Sequence, residues 1–298
     1  MRPERLCPVC GKSEYTPFSA ENIDDRKITA ASYSSRKEPE FMHLRLVRCS
    51  NCGLLYTPSV PDTSFLDSAY TNASYDSDEE ARFAASTYAE ALKPYVSQIE
   101  NKKDAIDVGA GNGALLPLLK EYGFARAIGI EPSQTAIEAA PDAARRFLRK
   151  GLFTEEIVAD LFPSLMCSFM TLEHMPDPGE FAKTAYRILN KGGMCAIVVH
   201  NYKALLNRFL GARSPIMDIE HLQLFCPKAA EMLMREAGFD IVAIQSLKNA
   251  YPIRYWLRLT PMPAKIKKPI ASLFEAMRIS RVPLSFNVGN LLAVGRKS

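Results

Sequence analysis

The segment that most constrains the fold is residues 101–140, which read NKKDAIDVGAGNGALLPLLKEYGFARAIGIEPSQTAIEAA. A β-type run at 105–108 enters a turn with three glycines, and a helical stretch at 115–121 follows. A second β-type run at 127–130 ends at an acidic residue, Glu131. Strand, glycine turn, helix and strand in this order predict a βαβ unit of an α/β protein.

The glycine turn also indicates what it could bind. Its sequence, DVGAGNG, places Asp107 before Gly109, Gly111 and Gly113, which are spaced by two. In the dinucleotide fingerprint the third glycine follows the second by three residues, so the spacing argues against NAD. An acid before the loop would repel a pyrophosphate and attract an ammonium group. Glu131, at the end of the second strand, is placed to accept hydrogen bonds from ribose hydroxyls.

Four cysteines predict a metal site. Two C-x2-C pairs, each followed by glycine, supply the thiolates of Cys7, Cys10, Cys49 and Cys52. A chain of 298 residues with 47% apolar residues does not need disulfides for stability, so closely spaced cysteines favour metal binding. Two such pairs form a closed tetrahedral site, in which zinc is the usual occupant and its role is structural. We therefore predict a zinc-binding domain over residues 1–58, with an iron centre or unrelated buried thiols as alternatives.

Charge is distributed unevenly along the chain. The formal net charge is +4, yet residues 248–298 contain ten Lys or Arg and one acid, Glu275. This segment predicts an anionic partner, either a phosphorylated small molecule or a membrane surface contacted through residues 251–283. A solvated insertion whose apolar side packs on the core is the alternative. The cysteine segment lacks the interleaved basic and aromatic residues of a stacking platform, which argues against nucleic acid.

Targeting and membrane-spanning signals are not evident in the sequence. The first residues hold no apolar run followed by a small-residue cleavage site, and no stretch of eighteen apolar residues occurs. We therefore expect a cytoplasmic protein, and its oligomeric state is left open.

Five segments occur in an order that resembles class I S-adenosylmethionine (SAM)-dependent methyltransferases. They read DVGAGNG, GIEPS, FMTLEHMPDP, ILNKGGMCAIVVHN and EHLQLFCPKAAEMLMREAGF. The resemblance implies a doubly wound, Rossmann-like sheet of seven strands, the last antiparallel, behind the small zinc-binding domain. It places the methyltransferase domain at residues 101–298, a helical lead-in at 59–100, and a basic insertion at about 248–288.

The same resemblance implies a SAM site built at the ends of the early strands. Its residues would be Asp107, Gly109, Gly111, Gly113, Glu131, Pro132, Leu152, Phe153 and Thr171. The three glycines would line the methionine side, with Asp107 near the amino group. Glu131 would hold the ribose, and Pro132, Leu152 and Phe153 would flank the adenine.

Candidate catalytic residues follow the later strands, where open α/β sheets bind ligands. They are His174, His200, Glu220 and His221. Quinone-ring O-methyltransferases are similar around His174 but use a glutamate where this chain has Met170, which argues against a catalytic metal. Sugar C-methyltransferases with a four-cysteine zinc domain carry Tyr-His-Glu-His where this chain has Asp218 to His221, so their tyrosine is absent. His221 paired with Glu220 is the preferred base, and a purely structural Glu-His pair is the alternative.

These observations predict an enzyme, a SAM-dependent methyltransferase (EC 2.1.1.-). We expect a small-molecule acceptor, with a sugar or nucleotide-linked sugar ahead of a quinone, phenol or lipid-linked acceptor. An RNA methyltransferase and a binding module without activity are the further alternatives. The sequence leaves open whether oxygen, nitrogen or carbon receives the methyl group.

Overall fold

A computed structural model describes residues 4–28, 32, 41–62, 66, 71, 78–260 and 262–298. The strands are β1 (Tyr15–Ser19), β2 (Leu46–Cys49), β3 (Leu55–Tyr56), β4 (Asp104–Val108), β5 (Arg126–Glu131), β6 (Leu148–Lys150), β7 (Pro163–Phe169), β8 (Met194–His200), β9 (Gln223–Leu224), β10 (Asp240–Pro252) and β11 (Pro283–Arg296). The helices are α1 (Asp78–Val96), α2 (Leu116–Glu121), α3 (Gln134–Glu138), α4 (Asp142–Arg145), α5 (Pro178–Ile188), α6 (Leu205–Leu210), α7 (Pro227–Ala237), α8 (Ile253–Leu259) and α9 (Ala264–Ala276).

The larger sheet has seven strands in the order β10-β11-β8-β7-β4-β5-β6. Strands β4 to β8 are parallel, whereas β11 runs antiparallel to both β8 and β10. The chain reverses its direction of winding between β4 and β7, and α/β sheets of this kind bind ligands at such a switch point. The predicted fold class is confirmed.

Both faces of the larger sheet are covered. Every residue of β4 and β7 is buried, as expected for parallel strands between two helical layers. On one face Ala105 and Leu165 share a buried apolar cluster with residues of α1 and α2. On the other face Ile106 and Met166 belong to a cluster with residues of α5 and α7. The sheet is therefore a fixed platform on which the loops at its carboxyl edge are held.

A second, four-stranded sheet joins the cysteine segment to the body of the chain. Its order is β1-β2-β3-β9, and β3 pairs with β9 through Leu55 with Leu224 and Tyr56 with Gln223. Strands β1 to β3 come from the first 58 residues, whereas β9 lies between β8 and α7. The sheet is thus completed by a distant segment of the chain.

Arg5 fixes the same junction with hydrogen bonds. Its guanidinium donates to the carbonyl oxygens of Thr57 (2.8 Å), Pro176 (2.6 Å) and Leu222 (3.1 Å), and to Oε1 of Gln223 (3.0 Å). The amide of Gln223 in turn donates to carbonyl groups of the loop after β7. Burial lowers the pKa of Arg5 to about 10. The amino-terminal segment, the loop after β7 and the approach to β9 are held as one unit.

Strands β10 and β11 form a long antiparallel hairpin whose far end carries α8 and α9. This is the region of the predicted basic insertion. In α8, the indole nitrogen of Trp256 donates to the carbonyl oxygen of Leu284 at 2.9 Å. The ring of Trp256 also packs edge-on against Phe286, with ring centroids 5.2 Å apart. The insertion therefore packs on the hairpin that leads into the sheet.

Candidate functional site

The glycine turn after β4 closely approaches the loop after β7. Gly109 has a φ of 77°, and a Cβ there would lie 2.2 Å from Oγ1 of Thr171. The amides of Gly109 and Ala110 both donate to the carbonyl oxygen of Ile130, at 2.9 and 3.1 Å. Gly111 also has a positive φ, 56°. At Gly109 the contact with Thr171 leaves no room for a side chain, and the positive φ also favours glycine.

Gly113 differs from the other two glycines. A Cβ at this position would meet side chains of Ala144, Leu116 and Leu148 at 3.2–3.4 Å. Gly113 therefore packs the turn against β6 and the neighbouring helices, and it lies outside the large cavity that Gly109 and Gly111 line. Its contacts thus indicate a packing role, and its place on the methionine side stays a prediction.

Glu131 ends β5 with its carboxylate directed at the glycine turn. Its Oε2 accepts from the amide of Gly111 at 2.7 Å, and its Oε1 accepts from the amide of Ser133 at 2.8 Å. Burial raises the pKa of Glu131, while these two hydrogen bonds oppose the rise. The carboxylate also lines the cavity, where it can accept from a ligand hydroxyl.

Asp107 is the second buried carboxylate of this region. Burial, and then the neighbouring charge of Glu131, raise the pKa of Asp107 to about 7. Both influences disfavour the ionised form, and neither comes from a cation. A ligand ammonium group would supply the missing positive charge and favour ionisation of Asp107. The chemistry of this pair of carboxylates fits the amino-acid and ribose groups of SAM.

One cavity of about 840 Å³ contains both predicted halves of the site. The cofactor candidates that line it are Asp107, Gly109, Gly111, Glu131, Pro132, Leu152, Phe153 and Thr171. The catalytic candidates that line it are His174, His200, Glu220 and His221. The structure therefore places every predicted cofactor and catalytic residue except Gly113 around one space.

We call the part of the cavity lined by the cofactor candidates the cofactor end, and the part lined by the catalytic candidates the acceptor end. Three histidines form a cluster at the acceptor end. The ring of His221 lies 4.9 Å from that of His174 and 5.1 Å from that of His200, measured between centroids. Nδ1 of His221 is 2.9 Å from the carbonyl oxygen of Ile216, and Nδ1 of His174 is 3.1 Å from that of Glu220. A carbonyl oxygen can only accept, so Nδ1 carries the proton in both rings and Nε2 is the accepting nitrogen of the neutral form.

The carboxylate of Glu220 lies beside the base candidate. Its Oε1 is 3.8 Å from Nε2 of His221, and both side chains are largely buried. A carboxylate at this distance stabilises the protonated ring, because opposite charges attract strongly where water is scarce. The arrangement therefore favours proton uptake at Nε2 of His221.

His200 is held as a neutral ring. Its Nδ1 donates to Oδ1 of Asn290 at 3.1 Å, and Nδ2 of Asn290 donates to Oδ1 of Asn249 at 2.9 Å. Burial lowers the pKa of His200 to about 4. The fully buried Glu173 accepts from the backbone amide of His200 at 2.6 Å and so braces the end of β8. Of these groups, His200 and the two asparagines line the cavity.

Several cavity residues were not predicted from the sequence. They are Tyr88, Asn112, Met170, Asn249, Tyr255 and Asn290 among others. Met170 has a φ of 56°, a backbone conformation that its residue type does not indicate. Tyr88 projects from α1 and packs on Phe169, with centroids 4.9 Å apart. Its position in the site depends on long-range packing, which the helical pattern of α1 does not specify.

An aromatic wall completes the acceptor end. Tyr251 stacks on Tyr255 with centroids 4.3 Å apart, and Trp256 packs edge-on against both, at 5.4 and 5.7 Å. All three residues line the cavity. They come from the end of β10 and the start of α8, within the basic insertion. The wall offers flat, apolar surfaces on which an aromatic acceptor could stack.

The four amino-terminal cysteines converge as predicted. The four sulfur atoms lie within 4.8 Å of one another, and the Cys7–Cys52 and Cys10–Cys49 pairs are each 3.5 Å apart. A tetrahedral ion with metal–sulfur bonds of 2.3 Å would separate the sulfurs by about 3.8 Å. The geometry therefore fits one closed tetrahedral ion.

The turns of the cluster explain the two glycines. The amide of Gly11 donates to the carbonyl oxygen of Cys7 at 2.8 Å, and that of Gly53 donates to Cys49 at 3.0 Å. Both glycines have positive φ angles, 65° and 77°. Each pair of cysteines is therefore held on the same kind of tight turn.

Comparison with known proteins identifies a family and several relatives. The chain matches the family model described as a methyltransferase domain over residues 77–244. The ubiquinone biosynthesis O-methyltransferase of Psychrobacter arcticus is 26% identical over 174 residues, 52% of this chain and 66% of that protein. The protein of the same name from Coxiella burnetii strain Dugway is 31% identical over 130 residues, 41% of this chain and 55% of that protein. The chain thus spans less than two thirds of the length of either relative.

A solved structure also aligns with this chain. The SAM-dependent methyltransferase of Archaeoglobus fulgidus has 17% sequence identity and a TM-score of 0.49, covering 79% of this chain and 100% of its own. The family match spans more than half of the chain, which therefore belongs to the methyltransferase domain family. The seven-stranded sheet is the one that the resemblance to class I SAM-dependent methyltransferases implied, and the predicted cysteine cluster is present.

Proposed function

We propose that this protein transfers a methyl group from SAM to a hydroxyl oxygen of a phenolic or quinol-type acceptor, with His221 as general base. The observation that carries the proposal is that His221, with Nε2 as its accepting nitrogen, lines the same cavity as the glycine turn and Glu131. The relatives named ubiquinone biosynthesis O-methyltransferase support an aromatic hydroxyl as acceptor.

The cofactor end would hold SAM through charge and backbone shape. Asp107 would accept hydrogen bonds from the ammonium group, and Glu131 would accept from the ribose hydroxyls. Gly109 and Gly111 leave room for the ligand beside the turn. Bound SAM supplies an electrophilic methyl group on a sulfonium centre, and methyl transfer releases the acceptor's hydroxyl proton. The chain's main tasks are therefore to position the two reactants and to accept that proton.

His221 would accept the proton at Nε2. The bond from Nδ1 to the Ile216 carbonyl fixes the ring orientation, and the carboxylate of Glu220 stabilises the charge that forms. A phenolic hydroxyl has a pKa of about 10, within reach of an imidazole, whereas an aliphatic sugar hydroxyl is far less acidic. This chemistry favours a phenol or quinol over the sugar that the sequence suggested.

The aromatic wall would orient the acceptor ring. Tyr251, Tyr255 and Trp256 pack against one another and line the cavity that contains His221. Stacking on such surfaces holds a planar ring without hydrogen bonds to each of its substituents.

We further propose that zinc occupies the four-cysteine centre. Four thiolates leave the ion no open position, so it would hold the fold together and take no part in methyl transfer. The match between the sulfur separations and a tetrahedral ion supports this assignment.

Methyl transfer can be tested directly. Full-length protein is incubated with SAM carrying an isotopically labelled methyl group and with catechol, hydroquinone or a nucleotide-linked sugar, and products are analysed by mass spectrometry. We expect label on a ring oxygen and formation of S-adenosylhomocysteine (SAH). His221→Gln should slow the transfer, while His43→Gln provides a matched control, since His43 is buried outside the cavity with Nδ1 bonded to a carbonyl oxygen at 2.8 Å.

The outcomes separate the candidate functions. Label on the nucleotide-linked sugar alone would replace the phenolic acceptor with a sugar. SAH binding without transfer to any acceptor would support a binding module. Equal loss of transfer in His221→Gln and His43→Gln would contradict the assignment of His221 as the base.

A further inference from the structure

Two surface segments beside the cavity expose large apolar side chains. In α6, Leu205 is 83% exposed and Phe209 is 88% exposed. The second segment, residues 264–287, exposes six more by 39–58%: Ile266, Leu273, Met277, Val282, Leu284 and Phe286. We refer to the exposed apolar residues of α6 and of residues 264–287 as the apolar surface. Single exposed apolar residues are common on proteins, but a concentration of this size indicates a binding surface.

Helix α9 has the pattern of a helix that lies in a membrane interface. Ile266, Ile270, Leu273 and Met277 follow the spacing of one helical face, within about 60° of one another at 3.6 residues per turn. Lys265 and Lys267 would then lie about 100° to either side of this stripe. Long cationic side chains at the edges of an apolar stripe can reach the lipid headgroups while the stripe enters the acyl region.

The two segments that carry the apolar surface contain many cationic residues and one acidic residue. Residues 254–288 contain seven Lys or Arg and one acid, Glu275, and residues 203–213 contain three Lys or Arg and no acid. Some of these cations serve the fold, since Arg254 pairs with Glu79 and Arg258 with Glu80 of α1. Lys267 donates to the carbonyl oxygen of Arg258 at 2.7 Å.

The remaining cations of residues 254–288 are exposed and lie on α9 or shortly after it. They are Lys265, Lys268, Arg278 and Arg281. This face would attract an anionic surface. Two copies of the chain that met through it would bring like charges together, which argues against self-association as its purpose.

The apolar surface adjoins the cavity. Leu206 of α6, Trp256 of α8 and Leu259 of α8 line the cavity, and Trp256 contacts Phe286 of the apolar surface. The side chain of Asn207 in α6 donates to the carbonyl oxygen of Val288 at 3.3 Å, which ties this helix to the same hairpin. A ligand at the surface therefore lies next to the acceptor end of the site.

We propose that the apolar surface docks on a bilayer containing anionic lipids, with α9 in the interface and the cavity opening beside the headgroups. Apolar side chains provide insertion, and the surrounding cations provide attraction to the negative surface. This mode requires no membrane-crossing segment, and among the described residues no helix has the length and apolar character to cross a bilayer. The proposal does not depend on the identity of the methyl acceptor.

The test is co-sedimentation of the full chain with phospholipid vesicles, without SAM or acceptor. Vesicles contain either phosphatidylcholine alone or equal parts of phosphatidylcholine and phosphatidylglycerol. We expect binding to the anionic vesicles that is at least about tenfold tighter than to the neutral ones and weakens with added salt. The double variants Leu273→Glu/Met277→Glu and Lys265→Glu/Arg281→Glu should each weaken it more than about tenfold.

A matched control replaces one exposed apolar residue and one exposed cationic residue at a place away from the apolar surface. Phe162 and Lys191 are both exposed and precede β7 and β8, at the edge of the sheet away from the cavity. Phe162→Glu/Lys191→Glu should bind vesicles like the wild type. The proposal is overturned if the wild type does not bind anionic vesicles, or if all variants bind alike. It is also overturned if the wild type forms a dimer that does not bind vesicles and Leu273→Glu/Met277→Glu abolishes that dimer.

Discussion

The two ends of the cavity are built in different ways. At the cofactor end, Asp107, the glycine turn and Glu131 come from one stretch of 25 residues, connected by hydrogen bonds that backbone amides of the turn donate. At the acceptor end, the histidines and the aromatic wall come from four segments that are far apart in sequence. The first end is a local motif that a pattern can reveal, whereas the second depends on how the whole chain packs. Substitutions should therefore affect the two ends separately, and the following predictions test that separation.

The largest effect should follow disruption of the glycine turn. Gly111→Arg places a long side chain on a residue that lines the cavity and has a positive φ, so we expect no detectable SAH binding by calorimetry. Gly192→Arg is the matched control, because Gly192 has a φ of 78° and open space around a Cβ. Unchanged affinity in Gly111→Arg would show that SAH binds elsewhere.

The next largest effect should follow loss of the four-cysteine centre. We expect Cys49→Ser to lose its zinc and to lower the free energy of unfolding by about 4 kcal/mol or more. Because Cys49 and Phe225 belong to one apolar cluster, the loss should appear as a single shifted unfolding transition. Metal analysis and calorimetry test this, with Cys226→Ala as control, since Cys226 is a buried neighbour that is not one of the four cysteines of the centre. A separate early transition would show that residues 1–58 fold as an independent domain.

Removal of the base should affect only the acceptor end. For His221→Gln we expect kcat to fall about 100-fold, the usual contribution of general-base catalysis, while SAH affinity stays within about twofold. Kinetics with the acceptor identified by mass spectrometry, together with calorimetry, measure the two quantities. A parallel loss of SAH affinity would break the separation between the ends.

The pH dependence of SAH binding should report on the cofactor end. Because the pKa of Asp107 is raised to about 7, this carboxylate is largely protonated below pH 7, and the ligand ammonium favours its ionised form. Affinity should therefore rise by up to about tenfold per pH unit as pH increases towards 7, and then level off. The empty protein should lose stability over the same range, since an acid with a raised pKa is more easily ionised when unfolded. In Asp107→Asn the affinity should be lower and nearly independent of pH; an unaltered slope would exclude Asp107 as the titrating group.

The smallest effect should come from the junction around Arg5. Arg5→Lys keeps the charge but loses the fork that binds Leu222 and Gln223, next to His221. We expect the acceptor KM to rise a few-fold, with SAH affinity unchanged. Arg26→Lys is the control, because Arg26 pairs with Asp24 on an exposed part of the same segment. Identical kinetics for the two variants would show that the junction does not position the acceptor end.

Residues whose chemistry depends on local sequence could be proposed from that sequence. The glycine turn, Glu131 and the cysteine pairs each express their chemistry within a few residues, so residue type and spacing were enough to select them. Gly113 was assigned to the cavity because spacing alone does not separate a packing glycine from one that approaches a ligand. Tyr88, Met170 and the Asn249–Asn290 pair were missed, since their positions follow from tertiary packing and backbone conformation.

The pairing of Leu55 with Leu224 also bears on how the polypeptide is made. On the ribosome, the amino-terminal strands emerge long before Gln223 and Leu224 are translated, so the edge of β3 stays open through most of synthesis. The cysteine turns need only residues up to 53, and a nascent chain could therefore capture its metal first. The last partner strand would then close the sheet and bring His221 to its place as one of the final steps of maturation.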